Sequence, residues 1–149
     1  MQDGMFIAKI RSQYHLSQKE MAQVLHITLS SYKLYEANIG PMKIEELNQI
    51  SNYFKISLNT LLGLSKNTSE FGPFDLDLKY LKFSLKYVRK IHRVTQQDLA
   101  KEFKISIPTI HRYEKNPQHL KVDYLRFFAT KFHVSVDYIC GKTLKKEVL

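Results

Sequence analysis

Ser17-Gln18-Lys19-Glu20-Met21-Ala22 and Thr95-Gln96-Gln97-Asp98-Leu99-Ala100 are one pattern written twice. Each opens on a hydroxyl suited to cap a helix and carries an acid three residues on, the capping-box arrangement. Working outward, Ile10 to Gly63 lies over Val88 to Gly141 with a constant offset of 78 and no gap. Ile27 meets Ile105, Tyr35-Glu36-Ala37-Asn38 meets Tyr113-Glu114-Lys115-Asn116, and Lys43, Leu47, Phe54, Ser57 and Gly63 meet Lys121, Leu125, Phe132, Ser135 and Gly141. A period this long is one small domain built twice, not a solenoid unit. Two copies of one module suit a partner with paired sites.

The rest of the chain divides around this repeat. A first domain is expected over residues 1–64, a linker over 65–74, a second domain over 75–142 and a basic tail over 143–149. The linker carries Ser65, Asn67, Thr68, Ser69 and Gly72-Pro73; such residues mark loops and turns. Asp75 is expected to cap a lengthened first helix of the second domain, running to about His92. Its extra turns bring Leu76, Tyr80, Leu81 and Phe83, apolar surface expected to pack on the first domain or on a second chain. Modules of roughly 60 residues bury only about 60% of their unfolded surface, so contact between them would stabilise both.

Helical periodicity runs through both copies. Leu47, Ile50 and Phe54 share a face, as do Leu125, Phe128 and Phe132. Thr28, Ser106, Ser57 and Ser135 offer further helix caps. The fold class is therefore all-α, with five short helices per copy. Cys140 lies in an apolar run and reads as a small core residue, and one cysteine excludes an internal disulfide framework. With no stretch approaching a membrane span and no signal-peptide pattern, a cytoplasmic protein is expected.

The net charge of +9 is unevenly placed. Residues 1–70 carry seven Lys/Arg against six Asp/Glu, whereas residues 71–149 carry sixteen against eight. Basic excess favours a polyanion such as nucleic acid; a solvated, soluble surface is the plainer alternative. The six histidines lack metal-ligand spacing, and no Gly-rich phosphate loop or nucleophile elbow occurs. Neither an enzyme nor a cofactor is expected.

Residues 17–38 and 95–116 each read as a capped helix, a short turn and a second helix. This is the helix-turn-helix, whose second helix enters the DNA major groove. Ala22 and Ala100 fall at the helix crossing, and Ile27 and Ile105 plug the turn. The two segments resemble the lambda-repressor/Cro type of helix-turn-helix, the xenobiotic-response-element family. The match runs through Leu16-Ser17-Gln18, Met21-Ala22, Ile27-Thr28, Tyr35-Glu36, Leu47, Phe54 to Ser57 and Leu61-Leu62-Gly63, and in copy two through Ser135 to Gly141. The resemblance implies two tandem five-helix domains. Where the family places Gly in the turn, this chain has His26 and Lys104. Where it places a terminating Gly, the chain has Asn38 and Asn116, the next-best residue for a left-handed cap.

The resemblance also implies site residues. Gln18 and Gln96 match a position that touches the phosphate backbone, alongside the reading of both as merely exposed helix starts. Groove-facing positions map to Thr28, Leu29, Ser30, Ser31, Lys33 and Leu34 in copy one. In copy two they map to Ser106, Ile107, Pro108, Thr109, His111 and Arg112. The Arg112 fork suits guanine O6 and N7; Ile107 and Leu29 suit thymine methyls. Lys115, with Lys86, Arg89, Lys90, His92, Arg93 and Lys121, suits a phosphate-contacting rim. Arg11 and Arg89 alternatively pair with Glu36 and Glu114. The expected partner is double-stranded DNA, and the expected role a sequence-specific transcriptional regulator of repressor type. Family members bind palindromes as dimers, so a homodimer is compatible. A contrasting reading is a protein-interaction module (an antitoxin, anti-repressor or mobile-element inhibitor) with a protein partner on the near-neutral first domain.

Overall fold

The computed structural model describes residues 5–66 and 70–147. The first copy forms α1 (Met5–Gln13), α2 (Gln18–Val24), α3 (Leu29–Ala37), α4 (Ile44–Phe54) and α5 (Leu58–Leu61). The second forms α6 (Leu78–Ile91), α7 (Gln96–Phe103), α8 (Ile107–Lys115), α9 (Val122–Phe132) and α10 (Val136–Ile139), with a 3-10 turn at Pro117–His119. Among the described residues there is no β-strand, and the fold is all-α.

Local chemistry sets the helix starts. The Ser17 hydroxyl accepts from the Glu20 amide at 3.0 Å, and Glu20 accepts from the Ser17 amide at 2.8 Å. Thr95 and Asp98 repeat this at 3.0 and 2.9 Å. Thr28, Ser57, Ser106 and Ser135 cap α3, α5, α8 and α10. Each hydroxyl satisfies a helix amide that has no partner within its own helix.

The turns are paid for in backbone strain. His26 and Lys104 sit at φ of 57° and 58°, and the same left-handed conformation recurs at His15 and Arg93 and at Lys55 and His133. Each pair is separated by 78 residues, so both copies make the same turns with residues that have a Cβ where glycine would be unstrained. Ile27 and Ile105 pack against the core beneath the turns, and Ala22 and Ala100 are buried where the paired helices cross.

Two expectations require correction, and one buried contact was not foreseen. Asn38 is extended, with φ of −156° and ψ of 109°, and Asn116 lies at φ of −145° and ψ of 75°; neither is left-handed. The Asn38 Oδ1 accepts from the Gly40 amide two residues on, at 3.0 Å. Asn116 precedes Pro117, whose ring disfavours helical backbone in its predecessor. The cap of α6 is Asp77, which accepts from the Tyr80 amide at 3.0 Å; Asp75 instead accepts from Asn48 and Asn52 of the first copy at 2.9 and 3.0 Å. Lys142, at the edge of the expected basic tail, is fully buried. Its ammonium donates to Asn48, to Ser51 at 3.1 Å and to Asn52 at 2.9 Å.

These contacts belong to a junction that joins the copies through one continuous buried cluster. The Ile44 amide donates to the Leu120 carbonyl at 3.1 Å, and the Val122 amide to the Met42 carbonyl at 2.8 Å. Exchanging each residue for its counterpart 78 positions away converts one bond into the other, and Lys43 and Lys121 form an antiparallel bridge at the centre. The same exchange relates α5 and α10. Asp137 accepts from the Leu58 and Asn59 amides at 2.9 and 2.8 Å. Asn59, its counterpart, accepts from the Val136 amide and donates to the Ser135 hydroxyl, both at 2.8 Å. The junction thus has the self-complementary form of a two-fold dimer interface, realised within one chain.

Three outcomes follow from this architecture. His26→Gly and Lys104→Gly each stabilise by about 0.5–1 kcal/mol, the left-handed penalty less the freedom glycine adds to the unfolded chain. Thermal unfolding should shift up by roughly 2–4 °C per kcal/mol; a fall would contradict the turn geometry. Asp137→Ala leaves two buried amides unpaired and costs at least about 1–3 kcal/mol; a change within about 0.5 kcal/mol in urea unfolding, typical of a surface site, would refute the junction's role.

The third outcome concerns acid. Hydrogen bonds from Asn48 and Asn52 hold the Asp75 carboxyl down to about 2, against an ordinary 3.8. A depressed folded value means stabilisation that is present above pH 3.8 and lost as the pH falls towards 2. The stability difference between wild type and Asp75→Asn should therefore shrink across that window. A pH-independent difference in denaturant titrations would contradict it.

Candidate nucleic-acid interface

Helix α3 is held by a salt bridge and a glutamine. Arg11 Nε donates to Glu36 at 2.6 Å, and its other guanidinium nitrogens reach Glu36 at 3.3 Å and the Leu16 carbonyl at 2.9 Å. Gln18 Nε2 donates to the same carboxylate at 2.9 Å. The second copy repeats every bond. Arg89 reaches Glu114 at 2.6 and 2.9 Å and the Val94 carbonyl at 2.9 Å, while Gln96 donates to Glu114 at 3.0 Å. The pairing expected of Arg11 and Arg89 is thus realised. Gln18 and Gln96 are half-buried, with their amide nitrogens turned onto the glutamates.

The second brace is the drier one. Its side chains are 8% and 5% exposed, against 17% and 10% for Arg11 and Glu36. Burial pushes the Glu114 carboxyl up, but hydrogen bonds from Arg89 and Gln96 outweigh it and leave the group below its ordinary value. Glu36 is lowered in the same way, with Arg11 the largest counterweight to burial. Both carboxylates are therefore ionised at neutral pH. Each fixes one end of a second helix to the first helix of its copy.

On the outer side of α3, Thr28, Leu29, Ser30 and Lys33 are exposed and Ser31 is half-buried. The Ser31 amide and hydroxyl are engaged with Thr28 at 3.1 and 3.0 Å. Leu29 and Leu34 are 37% and 69% exposed. On α8, Ser106, Ile107, Pro108, His111, Arg112 and Lys115 are exposed and Thr109 is half-buried beside the Ser106 hydroxyl. The Arg112 guanidinium lies 5.7 Å from the Tyr113 ring centroid. The structure thus gathers the sequence-derived positions of each copy along one helix, and the two helices differ in character. Lys33 is the one cation of α3, whereas α8 carries Arg112 and Lys115 together with His111.

Sequence reasoning missed a cleft of about 560 Å³ between α6 and α8. Phe83, expected to pack on the first domain or on a second chain, lines it and is exposed, as is Tyr87. The available signal was the lysine spacing along α6, with Lys79, Lys82, Lys86 and Lys90 three or four residues apart on one face. Among the described residues no group of His, Cys, Asp and Glu could hold a metal ion, and no helix is long and apolar enough to cross a membrane.

Comparison with protein families matches residues 4–65 to a helix-turn-helix domain and residues 85–139 to a second helix-turn-helix model. Neither the curated proteins nor the solved structures gave a match. Helix-turn-helix domains of this kind are DNA-binding regulators. The chain belongs to the helix-turn-helix family of the lambda-repressor/Cro type, as two domains in tandem.

Proposed function

We propose that the chain is a sequence-specific transcriptional repressor that reads two half-sites of one duplex with α3 and α8. The observation that carries this reading is the self-complementary junction. Met42, Ile44 and Asn59 exchange with Leu120, Val122 and Asp137 across it, so two recognition helices hang from one frame as they would in a two-fold dimer. A duplex with half-sites about one helical turn apart suits such a frame. The internal pairing supplies within one chain what the family obtains from two.

The half-sites are read unequally. Arg112 supplies the bidentate fork for guanine, with Ser106, Ile107, Pro108, Thr109 and His111 around it. Thr28, Leu29, Ser30, Ser31 and Lys33 make weaker contacts, chiefly apolar and hydroxyl. Gln18, Gln96 and Lys115 border the phosphates. The exposure of Leu29 and Leu34 favours a second reading for the first domain alone, contact with a protein partner.

Selection of bound duplexes from random DNA with the whole chain should return a two-part consensus whose halves differ. Arg112→Ala should cost about tenfold or more at one guanine-containing half, the worth of a bidentate pair. Lys33→Ala should weaken binding by less and independently of sequence. Equal affinity of Arg112→Ala and wild type for the selected site sinks the assignment. No enrichment at low salt transfers the role to a protein partner.

A further inference from the structure

Helix α6 carries a surface that the helix-turn-helix does not need. Lys79, Lys82, Lys86 and Lys90 line one side of the cleft, and His111 and Lys115 of α8 line the other. Among the described residues none of the five lysines forms a salt bridge. The cleft's carboxylate, Glu114, is already committed to Arg89 and Gln96. Between the lysines stand Phe83 and Tyr87, their rings 5.3 Å apart and within 18° of parallel. They remain 59% and 51% exposed. In the first copy the positions of Lys86, Tyr87 and Lys90 hold Ala8, Lys9 and Ser12. The scaffold therefore does not require this surface.

Unbalanced cations select an anion, and a stacked aromatic pair selects flat rings. A duplex satisfies only the first condition, because its phosphates are outside while its base faces are stacked within. A single strand offers both along its length, alternating phosphates with uncovered bases. The lysine row runs over twelve residues, Lys79 to Lys90, about 16 Å of helix, room for a few nucleotides. We propose that the α6–α8 cleft binds a short single-stranded segment of nucleic acid, its bases stacked on Phe83 and Tyr87 and its phosphates held by the lysines, with little regard to sequence. The cleft shares His111 and Lys115 with the duplex-reading helix, so the strand and the duplex compete for the second domain.

The test uses the full chain and a labelled oligothymidine of about eight nucleotides, within the usual span of such sites. Fluorescence anisotropy at low salt should show binding. Phe83→Ala with Tyr87→Ala should weaken it by roughly tenfold, the worth of lost base stacking, while affinity for a random duplex stays as in wild type. Phe83→Leu with Tyr87→Leu, which keeps apolar bulk and removes the π-faces, should lose as much, so a folding defect is excluded. Lys82→Gln with Lys86→Gln should lower affinity and flatten its salt dependence. Unchanged strand affinity in either aromatic pair overturns the proposal. So does tighter, Phe83- and Tyr87-dependent binding of a glutamate-rich amphipathic peptide, which would assign the cleft to an acidic protein segment. Arg112→Ala should leave strand binding intact, so failure of the duplex reading and failure of this one are separable.

Discussion

Everything in this molecule leans on the reciprocal capture of helix ends across the domain junction. Helices α5 and α10 are four residues each, too short to satisfy their own backbone. Ser57 and Ser135 cap the amides three residues on. Further N-terminal amides are taken by the other copy, Leu58 and Asn59 by Asp137 and Val136 by Asn59. Neither short helix is complete without its counterpart. Burial raises the Asp137 carboxyl above its ordinary value despite the two amides and nearby Lys142. The charge is thus held at a cost, and it is tolerated because the alternative is two unpaired buried donors.

The junction is two-fold in backbone and asymmetric in side chain. Asn59 both accepts and donates where Asp137 can only accept when ionised. Lys142 reaches across to Asn48, Ser51 and Asn52, and Phe71 lies 5.3 Å beneath its ammonium. Asp75 holds the same two asparagines from the opposite side. Burial pushes the Lys142 ammonium below its ordinary value, with Asp137 and Asp75 opposing. Such features fit a pairing of two different surfaces on one chain better than the self-pairing of either. A covalent pair releases each copy from having to match itself, which is the physical condition for the two reading helices to diverge.

What was legible in the sequence was what depends on near neighbours. Ser17 with Glu20 and Thr95 with Asp98 announce helix starts because both partners lie within four residues. The core stripes of α4 and α9 are legible for the same reason, and so is the constant offset of 78. What depends on distant partners was not. Asp75 has the chemistry of a cap, yet its oxygen serves two asparagines more than twenty residues earlier. Lys142 closes the second domain in sequence, but nothing nearby asks for its burial; its partners Asn48, Ser51 and Asn52 lie some ninety residues away. At the site, the glutamate braces were open from sequence because Arg11 and Arg89 suit phosphate equally well. The cleft escaped because apolar surface on α6 reads as a docking face for the other domain or a second chain until its neighbours on α8 are known.

The two second helices share their braces and differ in their outer faces. That division follows from where each residue's constraint comes from. Arg89, Gln96 and Glu114 are tied to one another, so a change in one strands a buried charge; they match their counterparts in the first copy. Arg112, His111 and Ile107 are exposed, and they do not match their counterparts Leu34, Lys33 and Leu29. The same reasoning applies to α6. Its buried face, Leu81, Leu85 and Val88, serves the core, while Phe83 and Tyr87 stack on each other yet stay more than half exposed, and Lys82 and Lys86 form no salt bridge among the described residues. A row of like charges on one helix face is mutually destabilising, by a few tenths of a kcal/mol per pair. Half-exposed rings beside that row add apolar surface without burying it. Residues that cost the free chain stability and stay largely exposed despite their internal contacts point outward for their purpose, to an anion with flat rings.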